Sequence, residues 1–243
     1  MPASSLRILA LDTSSDRVLL SLGAEGTDEP VAGVVSTEKS HGPGLLTHVE
    51  SLFRGQEPGV DAIACGRGPG SFTGVRIALS FAKTFAWVRR IPLYTFDVFD
   101  LYFTLAGEAG PVWVLEDARR GELYACAMTD GVIVRGPEVT TFDRVLEIAP
   151  PPTIFLGSGA RLHARALMER FGALAVDGVE RLPDPGALHR TAVRIRRKTE
   201  PGNPVTAEPL YLRASDAEVN LASGKIRSSW SRVVPGHERE GDT

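Results

Sequence analysis

The feature of this sequence that most constrains the fold is an order of strand-like and helical segments that occurs twice. Between residues 7 and 106, the apolar patterns predict three strands, a helix, a strand, a long helix, a strand and a short helix. The segment from 111 to 198 predicts the same βββαβαβα order, with little residue identity between the copies. Because strands that alternate with helices form mixed sheets flanked by helices, we predict an α/β fold with two duplicated lobes.

The two copies also predict the domain boundaries. The N-terminal lobe is expected over residues 1–108 and the C-terminal lobe over residues 109–216. In the second copy, one helix is predicted over Arg161–Phe171, the last strand over Leu174–Val176 and a final helix over Ala187–Lys198. Residues 217–243 are polar and predict a flexible tail.

The composition narrows the class of protein. Of the 243 residues, 43% are hydrophobic and 23% are charged, as in an ordinary globular protein. The net charge of -3 disfavours a protein that binds nucleic acid mainly through its phosphates. No secretory signal is apparent, and no uncharged apolar run reaches the ~20 residues that span a bilayer, so we expect a cytoplasmic protein without a membrane segment. Cys65 and Cys126 lie in strand-like stretches and are predicted to be small core residues.

Two loops carry residues that are typical of phosphate contacts. The segment Asp12–Ser14 closes the first strand, where an aspartate either approaches a metal-bound nucleotide or, more commonly, caps the turn. The segment GRGPGSFTG (66–74) leads into a helix N-terminus, which favours anions, but it matches neither GxGxxG nor the Walker motif. The candidate phosphate or cleft residues are Asp12, Thr13, Ser14, Gly68, Gly70 and Ser71.

Two predicted helices of the first lobe have wide apolar surfaces. In the helix after the glycine-rich loop, a Gly or Ala recurs every fourth residue from Gly74 to Ala86, so one side has almost no side chains. Packing within the core and contact with another protein are about equally good explanations of these surfaces. The candidate interface residues are Leu45, Leu46, Val49, Phe53, Gly74, Val75, Ala78, Leu79 and Ala82.

No catalytic site and no metal site is predicted from the residues themselves. None of the five histidines has a second His or Cys three or four residues away, and no GxSxG motif supports a Ser/His/Asp triad. The last predicted helix has a basic edge, for which a solvated face is the plain interpretation and an RNA contact the alternative. That edge comprises Arg190, Arg194, Arg197 and Lys198.

Seven segments, in order from about residue 7 to 214, resemble the TsaB family. They are ILALDTSS, SHGPGLL, DAIACGRGPGSFTGVRIALSFAKTFA, IPLYTFD, EDARRGELYA, FLGSGA and PLYLR, of which GRGPGSFTGVR is the most specific. The resemblance implies a two-lobed ASKHA (actin-like, RNase H-like) fold and a role in making threonylcarbamoyladenosine at position 37 of tRNA.

The resemblance also implies partners. In that system the catalytic subunit is TsaD, a homologue of the same fold, and the ATPase TsaE is also required. TsaB pairs with TsaD through its two N-lobe helices, forms homodimers through the same surface when alone, and meets tRNA only indirectly.

One difference from TsaD-like proteins implies that this chain is not catalytic. Those proteins carry a metal-binding HxxxH motif just after the strand that corresponds to IPLYTF, whereas this chain has DVFDLYF there, with Asp97 and Asp100 in place of imidazoles. We therefore expect a non-catalytic subunit with no cofactor, in which the phosphate loops are vestigial. Two departures from the TsaB pattern, Lys39 and Thr47, leave that assignment standing.

Two enzymatic alternatives remain open at this point. An ATP-dependent ASKHA kinase would place Asp12 near a metal and Gly157–Ala160 at an adenosine, but the sequence offers no convincing second phosphate loop or catalytic acid. A glycoprotease-like metallopeptidase ranks last because its metal motif is absent from the sequence.

Overall fold

The structure is a computed structural model that describes residues 6–37, 43–53, 59–107, 110–176 and 178–213. Within these ranges the chain forms two mixed sheets with helices packed on them, which confirms the predicted fold class. No helix in the described ranges is long and apolar enough to cross a bilayer. The predicted tail at 217–243 lies outside the described residues.

The first half of the chain forms a five-stranded sheet with the order β3-β2-β1-β4-β5. Strand β2 pairs antiparallel with both β1 and β3. Strands β4 and β5 continue the sheet on the other side of β1 and run parallel to it. The order of elements is the predicted one: β1 Arg7–Asp12, β2 Val18–Ala24, β3 Ala32–Ser36, α1 Pro43–Phe53, β4 Ala62–Gly66, α2 Phe72–Arg89, β5 Leu93–Phe96 and α3 Val98–Ala106.

The second half forms a four-stranded sheet with the order β8-β7-β6-β9, in which β9 is parallel to β6. Its elements are β6 Pro111–Arg119, β7 Glu122–Thr129, β8 Val132–Thr141, α4 Phe142–Ile148, β9 Ile154–Leu156, α5 Ser158–Leu162, α6 Ala164–Phe171, α7 Ala173–Val176 and α8 Pro185–Lys198. Strands β6, β7 and β8 are antiparallel neighbours, as β1, β2 and β3 are in the first sheet.

Two predicted elements of the second half are wrong. The helix predicted over Arg161–Phe171 is interrupted at His163, whose backbone leaves the helical region and separates α5 from α6. The strand predicted over Leu174–Val176 is the short helix α7, which places Ala175 in the core beneath β9. An apolar run of three residues fits a strand and a buried helical turn equally well, so periodicity could not distinguish them.

Helix α8 does not belong with the second sheet, although it falls within the predicted C-terminal lobe at 109–216. Its apolar side packs on the five-stranded sheet, where Leu188 and Ala192 join a core cluster with Ile8 and Ala10 of β1. The opposite face of that sheet is covered by α1 and α2, which contact Leu9 and Leu11 with the rest of a second cluster. Alternate residues of β1 therefore face two cores, and the first sheet is buried on both sides.

The arginines of the basic edge of α8 are ion-paired within the protein and remain partly exposed. Arg190 pairs with Glu29 at 3.1 Å and Arg194 pairs with Asp100 at 2.9 Å. Arg196 and Arg197 both pair with Glu25 of the first half of the chain. These ion pairs hold α8 against the first lobe. Among the described residues, Lys198 has no ion-pair partner.

After α8, the chain continues across the first lobe. The amide of Gly202 donates to the Leu93 carbonyl at 2.8 Å, and the amide of Leu210 donates to the Arg67 carbonyl at 2.8 Å. We call residues 202–212 the strap, because they lie along the outer side of α2. Cys65 and Cys126 are buried and unpaired, which confirms their prediction as core residues.

Candidate functional site

The turn after β1 holds a buried carboxyl group. Oδ2 of Asp12 accepts hydrogen bonds from the amide of Ser14 at 3.2 Å and from its hydroxyl at 2.8 Å. Oδ1 is buried against Gly66, where any Cβ would clash with it, and has no hydrogen-bond partner among the described residues. Burial raises the pKa of Asp12, and the hydrogen bonds of Ser14 and the charge of Arg17 offset part of that rise.

The glycine-rich loop packs directly on this turn. The amide of Ser71 donates to the Ser14 carbonyl at 2.6 Å, and the Thr13 hydroxyl donates to the Gly74 carbonyl at 2.7 Å. A side chain on Gly70 would clash with the Ser14 carbonyl, and one on Gly74 would clash with the Thr13 carbonyl. The glycines are therefore needed for close contact between two protein loops.

The structure thus brings the predicted phosphate-loop residues together, but it also engages two of the loop's amide donors. The amides of Ser71 and Gly74 are used within the protein, the latter by the hydroxyl of Ser71, which caps α2. Gly68 adopts a left-handed conformation with a φ of 90° and accepts from the amide of Val98 through its carbonyl. A phosphate at this helix N-terminus would compete with these internal contacts for the same donors.

A second acid, the half-buried Glu116, was not predicted. It is the sixth residue of β6, as Asp12 is the sixth residue of β1. Its carboxylate accepts from the amide of Ser158 at 3.2 Å, from the Ser158 hydroxyl at 2.6 Å, and from Tyr102. Burial raises the pKa of Glu116, and the nearby charge of Asp12 raises it further. The signal that could have identified it was the duplication, which aligns the end of β6 with the end of β1.

A polar cluster therefore lies between the first strands of the two sheets. It consists of Asp12, Ser14, Tyr102, Glu116 and Ser158. Burial, followed by the charge of Glu116, raises the pKa of the Tyr102 hydroxyl. Apart from Oδ1 of Asp12, each of these acid oxygens is hydrogen-bonded to a neighbouring protein group. Among the described residues, no three His, Cys, Asp or Glu side chains are grouped as metal ligands.

At the position of the HxxxH motif, the two aspartates serve to start a helix. Oδ1 of Asp97 accepts from the amide of Asp100 at 2.9 Å, and the amide of Asp97 donates back to Asp100 at 3.2 Å. This reciprocal arrangement is a capping box for α3. Burial, followed by repulsion from Asp100, raises the pKa of Asp97 to about 7. The second carboxylate is held by Arg194 at 2.9 Å.

Most of the predicted interface residues lie in the core of the first lobe, which corrects that prediction. The small-residue side of α2 faces β4 and β1, because Gly and Ala allow the helix to approach the sheet closely. The bulkier α1 residues close the same core, while Phe53 is partly buried and Leu46 is 53% exposed. The predicted interface residues that are buried in this fold are Leu45, Val49, Gly74, Val75, Ala78, Leu79 and Ala82.

The outer side of α2 carries a different set of residues. Trp87 and Val88 are 67% and 70% exposed at the end of the helix. One turn apart along the same side are further exposed residues, which with these two define the outer face of α2: Thr73, Arg76, Ser80, Thr84, Trp87 and Val88. Sequence periodicity assigned the apolar surface correctly but did not distinguish its buried part from its exposed part.

Comparison with known proteins gives consistent results. Residues 35–168 match the family model described as TsaD, tRNA N6-adenosine threonylcarbamoyltransferase. The tRNA threonylcarbamoyladenosine biosynthesis protein TsaB of Bacillus subtilis (strain 168) is 28% identical over 230 residues, which cover 88% of this chain and 96% of that protein. The TsaB of Escherichia coli (strain K12) is 33% identical over 128 residues, which cover 49% of this chain and 53% of the relative.

A solved structure shares the fold across nearly the whole chain. YeaZ from Pseudomonas aeruginosa superposes with a TM-score of 0.66 at 27% identity and covers 85% of this chain and all of that one. This likeness extends over both sheets, and the matching relatives carry the name that the sequence motifs suggested. The chain has a TsaD-type domain over residues 35–168 and belongs to the TsaB family.

Proposed function

We propose that this chain is a partner subunit in tRNA adenosine-37 threonylcarbamoylation, which binds the catalytic homologue TsaD and, together with TsaE, supports its activity without catalysing the transfer. The names of its relatives and its TsaD-type domain support a role in this modification. Since the modification acts on tRNA, the proposed assembly works in the cytoplasm.

The observation that carries this proposal is the exposure of large apolar side chains on the two outer helices of the first lobe. Helices α1 and α2 bury one side on the five-stranded sheet, yet Leu46, Trp87 and Val88 point away from that core. Trp87 and Val88 are adjacent and exposed, and clustered exposed apolar side chains are typical of protein interfaces. We propose that TsaD covers this surface and that a second copy of the chain covers it when TsaD is absent.

The polar cluster supports a non-catalytic role. A group that transfers a substituent or hydrolyses a nucleotide has to face its substrate. Here the acid oxygens, except Oδ1 of Asp12, and the amides of Ser71 and Gly74 are used by neighbouring protein groups. The two aspartates at the HxxxH position are committed to capping α3.

The experiment that tests the partner role measures binding to cognate TsaD by calorimetry and size-exclusion chromatography. We expect Leu46→Glu and Trp87→Glu each to weaken binding by about tenfold or more, because each buries a charge at an apolar contact. Val132→Glu is the matched control, since Val132 is 64% exposed on the second sheet. Wild-type binding that both substitutions leave unchanged would place the interface elsewhere.

A further inference from the structure

A cavity of about 360 Å³ lies between the outer side of α2 and the strap. Buried Leu79 contributes to its floor, and Ala207 and Pro209 line it from the strap. Its remaining lining is polar, with two basic residues and one acidic residue, and consists of Arg76, Ser80, Lys83, Glu208 and Tyr211.

The guanidinium group of Arg76 is held in place by aromatic residues, and no described acidic residue pairs with it. Its Nε donates to the Tyr211 hydroxyl at 2.9 Å, and its planar group lies 3.7 Å from the centre of the Phe72 ring. The rings of Phe72 and Tyr211 are themselves stacked, with centroids 5.4 Å apart. Within the described ranges, nothing accepts from the two terminal amino groups of Arg76, so a planar pair of donors remains available.

Lys83 is fixed two turns further along the same helix. Its Nζ donates to the carbonyls of Val205 at 3.1 Å and Ala207 at 3.0 Å. The strap presents both carbonyls because it turns at Asn203, whose side chain accepts from the amide of Val205. An ammonium group has three protons, so one remains for a ligand.

These two cations differ from the arginines of α8, which all pair with acids of the first lobe. In the part of the chain that the structure describes, neither Arg76 nor Lys83 has a carboxylate within ion-pair distance. Glu208 is the acid that lines the cavity. The cavity lining thus has two positive charges and one negative charge, and its net charge is one positive charge.

We propose that this cavity binds an acidic side chain, an Asp or Glu carboxylate, of the TsaD molecule that docks on the outer face of α2. The inference rests on the proposed function, since it names a contact of the same partner surface. A single carboxylate matches the planar donors of Arg76 and balances the excess charge. A phosphate dianion would exceed that charge and meet repulsion from Glu208.

The test uses the full chain and cognate TsaD at low salt. Arg76→Gln should raise the Kd at least about tenfold, because it removes the bidentate charged donor. Glu208→Gln should lower the Kd about two- to fivefold, because it removes repulsion. A purely structural role for Arg76 in holding the strap predicts no gain from Glu208→Gln, so this second variant separates the two roles. Arg165→Gln is the control, since Arg165 is an exposed arginine of α6 paired with Glu169.

The remaining outcomes separate this inference from the proposed function. Wild type that fails to bind TsaD would overturn both. Wild type that binds, with Arg76→Gln and Glu208→Gln both at the wild-type Kd, would overturn the carboxylate site alone. An excess of inorganic phosphate should leave the Kd at the value measured in sodium chloride of equal ionic strength, and displacement of TsaD by phosphate would show that the cavity takes free phosphate instead.

Discussion

Asp12 and Glu116 show how a duplicated fold can retain acids without leaving them free. Each is the sixth residue of the first strand in its half of the chain, and burial raises the pKa of each carboxyl group. Of the two interpretations of Asp12, its hydrogen bonds from Ser14 favour the turn cap. Glu116 was missed because an acid before a hairpin turn looks like a turn residue, and its hydroxyl partners lie 14 and 42 positions away in sequence.

At the residue scale, Asp97 gives a prediction about pH. Its pKa in the folded protein is about 7, against an ordinary 3.8, so the folded state holds a proton that the unfolded state has released. The free energy of unfolding should therefore fall as pH rises from about 4 to 7, by on the order of 2 kcal/mol after allowance for partial exposure.

Asp97→Asn should remove that slope. The amide oxygen still caps α3, so the variant should match wild type near pH 4 and exceed its stability near pH 8. Urea unfolding at the two pH values measures the difference. A variant that is less stable than wild type at the higher pH would show that the ionised carboxylate stabilises the helix cap.

At the element scale, α2 illustrates what a pattern can and cannot predict. The four-residue repeat of small side chains correctly predicted a helix with one smooth side, but a smooth side suits a sheet and another helix equally well. In this protein the small-residue side of α2 packs on the sheet, because β4 and β1 lie directly beneath Ala78 and Ala82. The strap, which decides what remains exposed on the outer side, comes from more than a hundred residues later in the chain.

A substitution by glutamate should change the stability of the protein by very different amounts on the two sides of α2. Ala78→Glu should destabilise the protein by about 3 kcal/mol or more, because it forces a carboxylate into a filled core. Thr84→Glu, on the outer face, should change stability by less than about 0.5 kcal/mol. Thermal and urea unfolding check both. Equal stability of the two variants would mean that the small-residue side is not the buried one.

At the scale of the whole molecule, the order of elements was predictable and their assembly was less so. Local periodicity specified the three-stranded start of each sheet and the helices between strands, since each of these depends on neighbouring residues. Which sheet α8 covers depends on long-range contacts, such as those of Glu25 with Arg196 and Arg197, and these leave no periodic signal. Because of such contacts, the arginines on the basic edge of α8 are ion-paired within the fold.

At this scale, we propose that the chain acts through a surface and not through the acids of its polar cluster. The outer face of α2 leaves Trp87 and Val88 exposed, whereas Asp12 is buried and Glu116 is half-buried, each with hydrogen-bond partners. A subunit of this kind can lose a carboxylate from its polar cluster and still support TsaD.

The most direct test is reconstituted threonylcarbamoylation of tRNA with TsaD and TsaE, in which this chain is omitted, supplied as wild type, or supplied as Asp12→Asn. We predict little product without the chain, and product with Asp12→Asn within about twofold of wild type, because the amide keeps the hydrogen bond from Ser14. A folded Asp12→Asn protein that binds TsaD but loses about a hundredfold in rate, the size of effect expected for a catalytic group, would contradict the account.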